Sequence, residues 1–482
     1  MNEITEYLLK HTKEKLPTAL ENIAKRIIDK ECSLFIGAGM SLNSNLPSWH
    51  QLLRPCADTL GIQQDDFSHM NLFSLAQYYV NNRSESELRR IVNNQISSIA
   101  KSTEMHKTLV GAGFKSIWST NYDQLIENSL NESNIAYNSI ASDADIATVS
   151  HEGKINVYKI NGDINHRDSM VLTQRDIERY TETHRLFMTF LKKELVSNTF
   201  LFIGYSFTDR IVLNCLCEIR EYLQPYFLPT THYAIMVANG MENKDTIYFV
   251  EDLKLRYGIE CLYIKKEDLE SVIELLLKYL RHKKVFISGA YYILSKKEEH
   301  FAEILSEHLV TKLYDNKYRI STGIGKRLGA FITGYANQYL IARGIVDTSK
   351  HLSMRPFPFH LQLDENKKIK YRTIMEYDCE ASIFMFGRSE TTAKEGAYNH
   401  VGHYSRGVYQ EFQIAKSLHH TIIPIGSTGY EAKIIWKEVK QNINEYPYLS
   451  KKIDILGYEK DPERLANIVI SILDSCSVHR TI

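Results

Sequence analysis

The chain has no excess charge of either sign: 58 Lys and Arg stand against 58 Asp and Glu in 482 residues. With no basic surplus to displace counterions, the composition offers nothing to a nucleic-acid partner or to an anionic membrane surface. Cysteine is sparse and unpaired in pattern. Cys32, Cys56, Cys215, Cys217, Cys261, Cys379 and Cys476 form no Cys-x-x-Cys, which excludes a zinc ribbon and a thioredoxin-like motif. That usage fits a reducing, cytoplasmic setting. No apolar run approaches the roughly 18 residues that span a bilayer. The charged start MNEITEYLLKHTKEK lacks the apolar core of a signal peptide. Glycine (23) and proline (10) are too few for a collagen-like or low-complexity chain. The 30 tyrosines are spread out and not grouped with basic residues, so the sequence contains no base-stacking platform.

What is present is an ordinary globular composition, 44% hydrophobic and 24% charged, long enough for about two or three domains. Short apolar runs ending in glycine or in small polar clusters recur, each before a helical pattern. Cys32 to Ile36 runs into Gly37-Ala38-Gly39-Met40-Ser41, and Ser116 to Ser119 into Thr120-Asn121-Tyr122-Asp123. Val157 to Ile160 precedes Asn161-Gly162-Asp163, and Thr199 to Ile203 precedes Gly204-Tyr205-Ser206. Such alternation predicts parallel α/β sheets, in which ligands bind beyond the carboxyl ends of the strands. Leu269, Val272, Ile273, Leu276 and Leu280 fall at helical spacing between Lys266 and Arg281, and a new strand starts at Val285. The domain boundary is therefore placed between residues 282 and 283. The second half repeats the logic: strands end at Gly323-Ile324-Gly325, at Gly387-Arg388-Ser389 and at Gly426-Ser427-Thr428-Gly429. The fold class expected is α/β, two Rossmann-like domains with parallel sheets.

Glycine after a buried strand admits a phosphate to backbone N–H groups at a helix start. Gly37-Ala38-Gly39 fits that use, although Leu42 stands where the dinucleotide fingerprint has its third glycine. A tight strand-to-helix turn is the other reading. Asn121 with Asp123, Asn161 with Asp163, and Ser206 with Asp209 suit hydrogen bonds to ribose hydroxyls and a carboxamide. Each alone could equally cap the following helix. Their convergence on one glycine turn favours a site. His400, His403, His419 and His420 could ligate a metal, but a polar loop without a carboxylate partner reads as solvated histidine.

Taken in order, GAGxS, TNYD, K-I-x-G-D and G-Y-S-F-T-D resemble the sirtuin-like NAD-consuming fold. FISGA, S-T-G-I-G-x-x-x-G, RPFPF and G-V-Y-Q-E-F resemble a SLOG nucleotide-sensing domain. The pairing over nearly the whole chain is similar to the NADase effectors of the Thoeris anti-phage system. The resemblance implies a sirtuin-like NAD-binding and NAD-cleaving domain over 1–282 and a SLOG domain over 283–482. It implies Gly37, Ala38, Gly39 and Ser41 along the NAD pyrophosphate, with Asp123 also in the cofactor site. Asn121 becomes the catalytic asparagine, and Ser206 and Asp209 lie on the far side of the cleft. No cofactor beyond NAD as substrate is implied, and no zinc. Ser288, Gly289, Gly323, Gly325, Arg372, Arg388 and Glu411 are implied to hold a cyclic ADP-ribose isomer, made by a TIR-domain partner enzyme, in a homotetramer.

Two positions depart from the family pattern. Asn161 stands where the family carries its catalytic histidine, and an amide cannot act as a general base. Either the substitution, engineered or natural, weakens the enzyme, or His151 or His166 serves instead. Arg388 stands where lysine is expected, keeping charge but changing geometry. Two other classes remain open. One is a catalytically dead NAD and nucleotide sensor, which Asn161 supports. The other is a sirtuin-type protein deacylase, against which the missing four-cysteine zinc module counts.

Overall fold

The computed structural model describes residues 2–41, 44, 46–96, 101–149, 153–166, 169–207, 211–223, 231–292, 294–358, 363–389 and 404–478. The chain divides into two compact units, Met1–Leu280 and Arg281–Ile482.

The first unit is built on seven strands: β1 (Cys32–Ile36), β2 (Ser116–Ser119), β3 (Tyr137–Ile140), β4 (Ile155–Lys159), β5 (Thr199–Ile203), β6 (His232–Val237) and β7 (Ile259–Ile264). All are parallel, in the order β3-β4-β2-β1-β5-β6-β7. Both faces are covered, which is why β1 and β5 read as unbroken apolar runs. Alternation still sorts the side chains. Leu34, Ile36, Ile117, Leu201 and Ile203 enter an aliphatic layer. Phe35, Trp118, Tyr158, Phe200 and Phe202 enter an aromatic one, where Trp118 stacks on Tyr158 at 4.0 Å. Each such side chain contributes about 1.5–3 kcal/mol when fully buried. The helix Glu3–Ile28 lies along β7, and the Tyr263 N–H donates to Thr12 Oγ1 at 2.8 Å.

The sequence reading did not find β3, β6 or β7. Asn138, His232 and Glu260 interrupt or shorten their apolar runs. The sequence reading also assigned no role to the helices Trp49–Thr59, Gln64–His69, Leu72–Asn82 and Glu85–Ile96. They form their own apolar cluster, which includes Tyr122, Ile164, Met170 and Leu172 from the segments after β2 and β4.

The second unit carries β8 (Lys284–Ala290), β9 (Arg319–Thr322), β10 (Leu352–Met354), β11 (Ala381–Phe386) and β12 (Thr421–Pro424). The order is β10-β9-β8-β11-β12, again all parallel. The helix Lys296–Asp315 packs against Leu328–Ile341 and Pro462–Val478. At the outer strand the Ile422 N–H donates to Tyr448 Oη at 2.8 Å, and that hydroxyl donates to Ile422 O at 3.3 Å. No helix among the described residues is long and apolar enough to cross a membrane.

Candidate functional site

In the first sheet the strand order reverses around β1, which lies between β2 and β5. A crevice opens at such a reversal. Gly37 N–H donates to Ile203 O and Gly39 N–H to Gly204 O, both at 2.9 Å, tying the turn after β1 to that after β5. A Cβ on Gly37 would lie 2.6 Å from Tyr205 Cα, and one on Gly39 would lie 2.9 Å from Gly204 Cα. Only glycine permits that approach. Ala38 and Gly39 are exposed, whereas Gly37 and Ser41 are buried.

Asn121 is held by a short relay. Ser41 Oγ donates its single proton to Asp123 Oδ2 at 2.7 Å, so toward Asn121 it can only accept. Asn121 Nδ2 donates to Ser41 Oγ at 2.8 Å and to Gly37 O at 3.2 Å. The amide orientation is thereby fixed. Its Oδ1 is buried without a hydrogen-bond partner among the described residues. Ser41 and Asp123, read from the sequence as cofactor contacts, commit these groups to orienting Asn121; Asp123 Oδ1 also accepts from Leu125 N–H at 3.0 Å.

Asn161 stands level with Asn121. Ser119 of β2 pairs with Lys159 of β4, and each asparagine follows its strand's member of that pair by two residues. Asn161 is buried, and its Oδ1 also lacks a hydrogen-bond partner among the described residues. The turn is fixed by Gly162 at φ +87 and by Tyr180 Oη, which donates to Ile160 O at 2.8 Å. Two carboxamide oxygens are thus left as acceptors, and neither can take a proton. Ser206 is exposed just beyond β5. His166 is exposed beyond the turn, its backbone bridged to Asp163. Asp209 and His151 lie outside the described residues.

Sequence reasoning missed the group beneath the asparagines. Lys159, fully buried, donates to the carbonyl oxygen of Asp123 and lies 3.4 Å from both Glu127 Oε1 and Asp163 Oδ2. Burial opposes its charge, but Glu127, Asp163 and Asp123 outweigh that and keep it protonated. Burial pushes the Glu127 carboxyl above its ordinary range. A lysine inside the apolar run Val157-Tyr158-Lys159-Ile160 was the signal available.

In the second unit the order reverses around β8. A cavity of about 380 Å³ opens there, and Ser288, Gly289, Gly323, Gly325, Arg372, Arg388 and Glu411 all line it. A Cβ on Gly325 would overlap the carbonyl oxygen of Gly289. Ile324 and Arg327 flank that turn at φ +51 and +59, strained for side chains of their size. Ser288 Oγ donates to Glu411 Oε2 at 2.6 Å. The Arg372 guanidinium lies 4.0 Å over the Phe357 ring, with Nε 3.6 Å from Glu411 Oε1. Its Nε and Nη1 have no hydrogen-bond partner among the described residues. Arg388 Nη1 donates to Tyr430 Oη at 3.3 Å. Glu376, absent from the sequence reading, is fully buried below, and Ser382 Oγ donates to it at 3.4 Å.

One guanidinium therefore serves two buried carboxyls. Burial pushes Glu411 up, against the pull of Arg372 and Ser288. It holds Glu376 well above its ordinary 4.5, and Glu411 adds to the rise. A carboxyl raised in the folded state favours folding below its unfolded value and loses that contribution as pH rises through its folded one. The Glu376→Gln variant is accordingly expected to melt at a higher temperature than the parent at pH 7–8. The gap should close toward pH 4.5, and parallel melting curves across that window would contradict the assignment.

His419, just before β12, is exposed as expected, whereas His420 is buried with Nδ1 2.9 Å from Ser382 Oγ and is not a solvated histidine; His400 and His403 lie outside the described residues. Among the described residues no group of three or more His, Cys, Asp or Glu could hold a metal ion.

Residues 115–258 match the model of a SIR2-like domain, and residues 268–476 that of the Sir2- and TIR-associating SLOG family. The fold and both sites thus define a two-domain α/β chain, SIR2-like and then SLOG. Three relatives are each named NAD(+) hydrolase ThsA. That from Bacillus cereus (strain MSX-D12) is 28% identical over 89% of this chain and 90% of its own length. That from Acinetobacter baumannii (strain 532279) is 29% identical over 89% and 91%. That from Enterococcus faecium is 28% identical over 95% and 98%. The chain is a ThsA-like protein.

Proposed function

We propose that the chain is an NAD+ hydrolase of antiviral defence, converting NAD+ to nicotinamide and ADP-ribose. The observation that carries this reading is the buried, oriented Asn121 amide beside the glycine turn of β1, its Oδ1 left as an acceptor. The full-length relatives named as NAD(+) hydrolases support it.

The glycine turn takes the pyrophosphate at exposed Ala38 and Gly39. In the reaction the C1′–N bond breaks and its electron pair leaves with nicotinamide, which departs neutral from a cationic pyridinium. Water adds to the oxocarbenium-like C1′ and gives up a proton. Asn121 Oδ1 accepts from that water or from a ribose hydroxyl and so orients it. Asn161 can accept in the same way but cannot take the proton, so the reaction runs impaired in this chain. No cofactor beyond NAD, and no zinc, enters the scheme.

The cavity of the second unit takes a cyclic ADP-ribose isomer, the signal of a TIR-domain partner enzyme in a Thoeris system. Arg372 and Arg388 face its pyrophosphate, Glu411 accepts from ribose hydroxyls, and Ser288, Gly289, Gly323 and Gly325 give it room. The signal activates by binding the active arrangement more tightly than the resting one. The working form is a cytoplasmic homotetramer without a nucleic-acid or membrane partner. Asn161 favours a second reading, a catalytically dead sensor of NAD and the signal. Nicotinamide release from NAD+, followed with and without the cyclic nucleotide alongside calorimetry with each ligand, separates the two. Signal-stimulated release supports the hydrolase, binding of both without release supports the sensor, and binding of neither removes both readings.

A further inference from the structure

We infer that Lys159 is a positioning residue of the first unit's site: its ammonium ties the turn after β2 to the turn after β4 and so holds Asn121 and Asn161 in one frame. The inference rests on reading this cleft as an NAD site.

Lys159 is the last residue of β4, two before Asn161. Its Nζ crosses to the neighbouring turn and donates to the carbonyl oxygen of Asp123, two residues past Asn121. Glu127, on the helix Leu125–Glu132, and Asp163, beyond Asn161, flank the same ammonium at 3.4 Å each. Both anions are anchored in turn. Ser139 Oγ donates to Glu127 Oε1 at 3.2 Å, Asn165 N–H to Asp163 Oδ1 at 2.7 Å, and Gln124 Nε2 to Asp163 Oδ2. One cation thus touches both segments that carry the asparagines, from a point neither asparagine reaches.

Packing alone does not call for it. Burying an ammonium is costly, and a matched apolar group is often as stable as a buried ion pair. The neighbours Val157, Tyr158 and Ile160 show that the strand accepts such groups. A lysine here does what an apolar residue cannot: it fixes the Asp123 carbonyl. From Asp123 the constraint runs through Ser41 to the Asn121 amide.

The test uses the full-length chain as K159M, K159R and K159M/E127Q, each with Asn161 and with N161H. In the N161H background K159M is expected to lower nicotinamide release at saturating NAD+ about 100-fold, the scale of a misplaced reacting group, and to raise KM about tenfold, because the same frame seats the ribose. K159R should recover to within about tenfold, because it restores a buried donor. K159M/E127Q removes one of the two anions left unbalanced, the one held by fewer donors, so its melting temperature should recover in part while its rate does not. A rate that recovers together with melting, or a K159M rate equal to its parent's, overturns the inference. If N161H releases no nicotinamide, the hydrolase reading fails on its own and calorimetry with NAD+ decides. Affinity at least tenfold weaker in K159M and restored in K159R upholds the positioning role; equal affinities overturn it. A parent chain that does not bind NAD+ overturns both.

Discussion

Replacing Asn161 by histidine is expected to raise nicotinamide release by about 10²- to 10⁴-fold, the range a positioned proton-transfer group contributes. The place is prepared. Asn161 stands level with Asn121 at the end of the adjoining strand, and its side-chain oxygen has no hydrogen-bond partner among the described residues. An imidazole there keeps the hydrogen bond to water or ribose and adds a lone pair that can take the proton. It acts only when neutral, so the restored activity should rise with pH through roughly 6 to 7, around the ordinary histidine value of about 6.5. Asn161 itself has no titration, so the parent's residual rate should lack that limb. The measurement is nicotinamide release by both chains from pH 5.5 to 8.5 at saturating NAD+. Equal rates would show that the chemistry does not pass through this position.

Truncating Arg372 to alanine is expected to weaken binding of the cyclic nucleotide by roughly 30-fold to several thousand-fold, the cost of removing one partner from a buried charge pair. Two effects act in the same direction. The ligand phosphates lose a guanidinium whose Nε and Nη1 have no hydrogen-bond partner among the described residues. Glu411 and Glu376 also lose the cation that lowers both carboxyls, which favours their protonated forms and weakens Glu411 as an acceptor for ribose hydroxyls. Arg372→Lys should recover only part of the affinity, since an ammonium reproduces the charge but not the planar fork or the face laid on Phe357. Calorimetry on the three full-length chains, with a melting curve for each, reads both effects. Unchanged affinity in the alanine variant would remove Arg372 from the site.

Much of this architecture was legible because parallel sheets place ligand chemistry at strand ends and mark those ends in sequence. Gly37, Asn121 and Asn161 each follow an apolar run, and the structure brings them to adjoining strands. The seven residues assigned to the second cavity come from positions 288 to 411 and line one space for the same reason. What was not legible lies where partners are remote in sequence. Lys159 meets Glu127 across 32 positions and Glu376 shares Arg372 with Glu411 across 35, and neither spacing has a helical or strand period. The roles of Ser41 and Asp123 were hidden differently. Residue type said that they could bind a ligand, and only the direction of one hydroxyl proton shows that they orient Asn121. The strands β3, β6 and β7 escaped because polar residues, Asn138, His232 and Glu260, break their apolar runs.

Tyr448 and Thr12 bear on how copies of this chain can assemble. Each supplies a hydroxyl to a main-chain group on the outermost strand of its sheet, at Ile422 in one unit and Tyr263 in the other. A strand from another copy aligning on either margin would find those valences taken. Pairing of a second copy's strand on β7 or β12 is therefore opposed at Tyr263 and at Ile422.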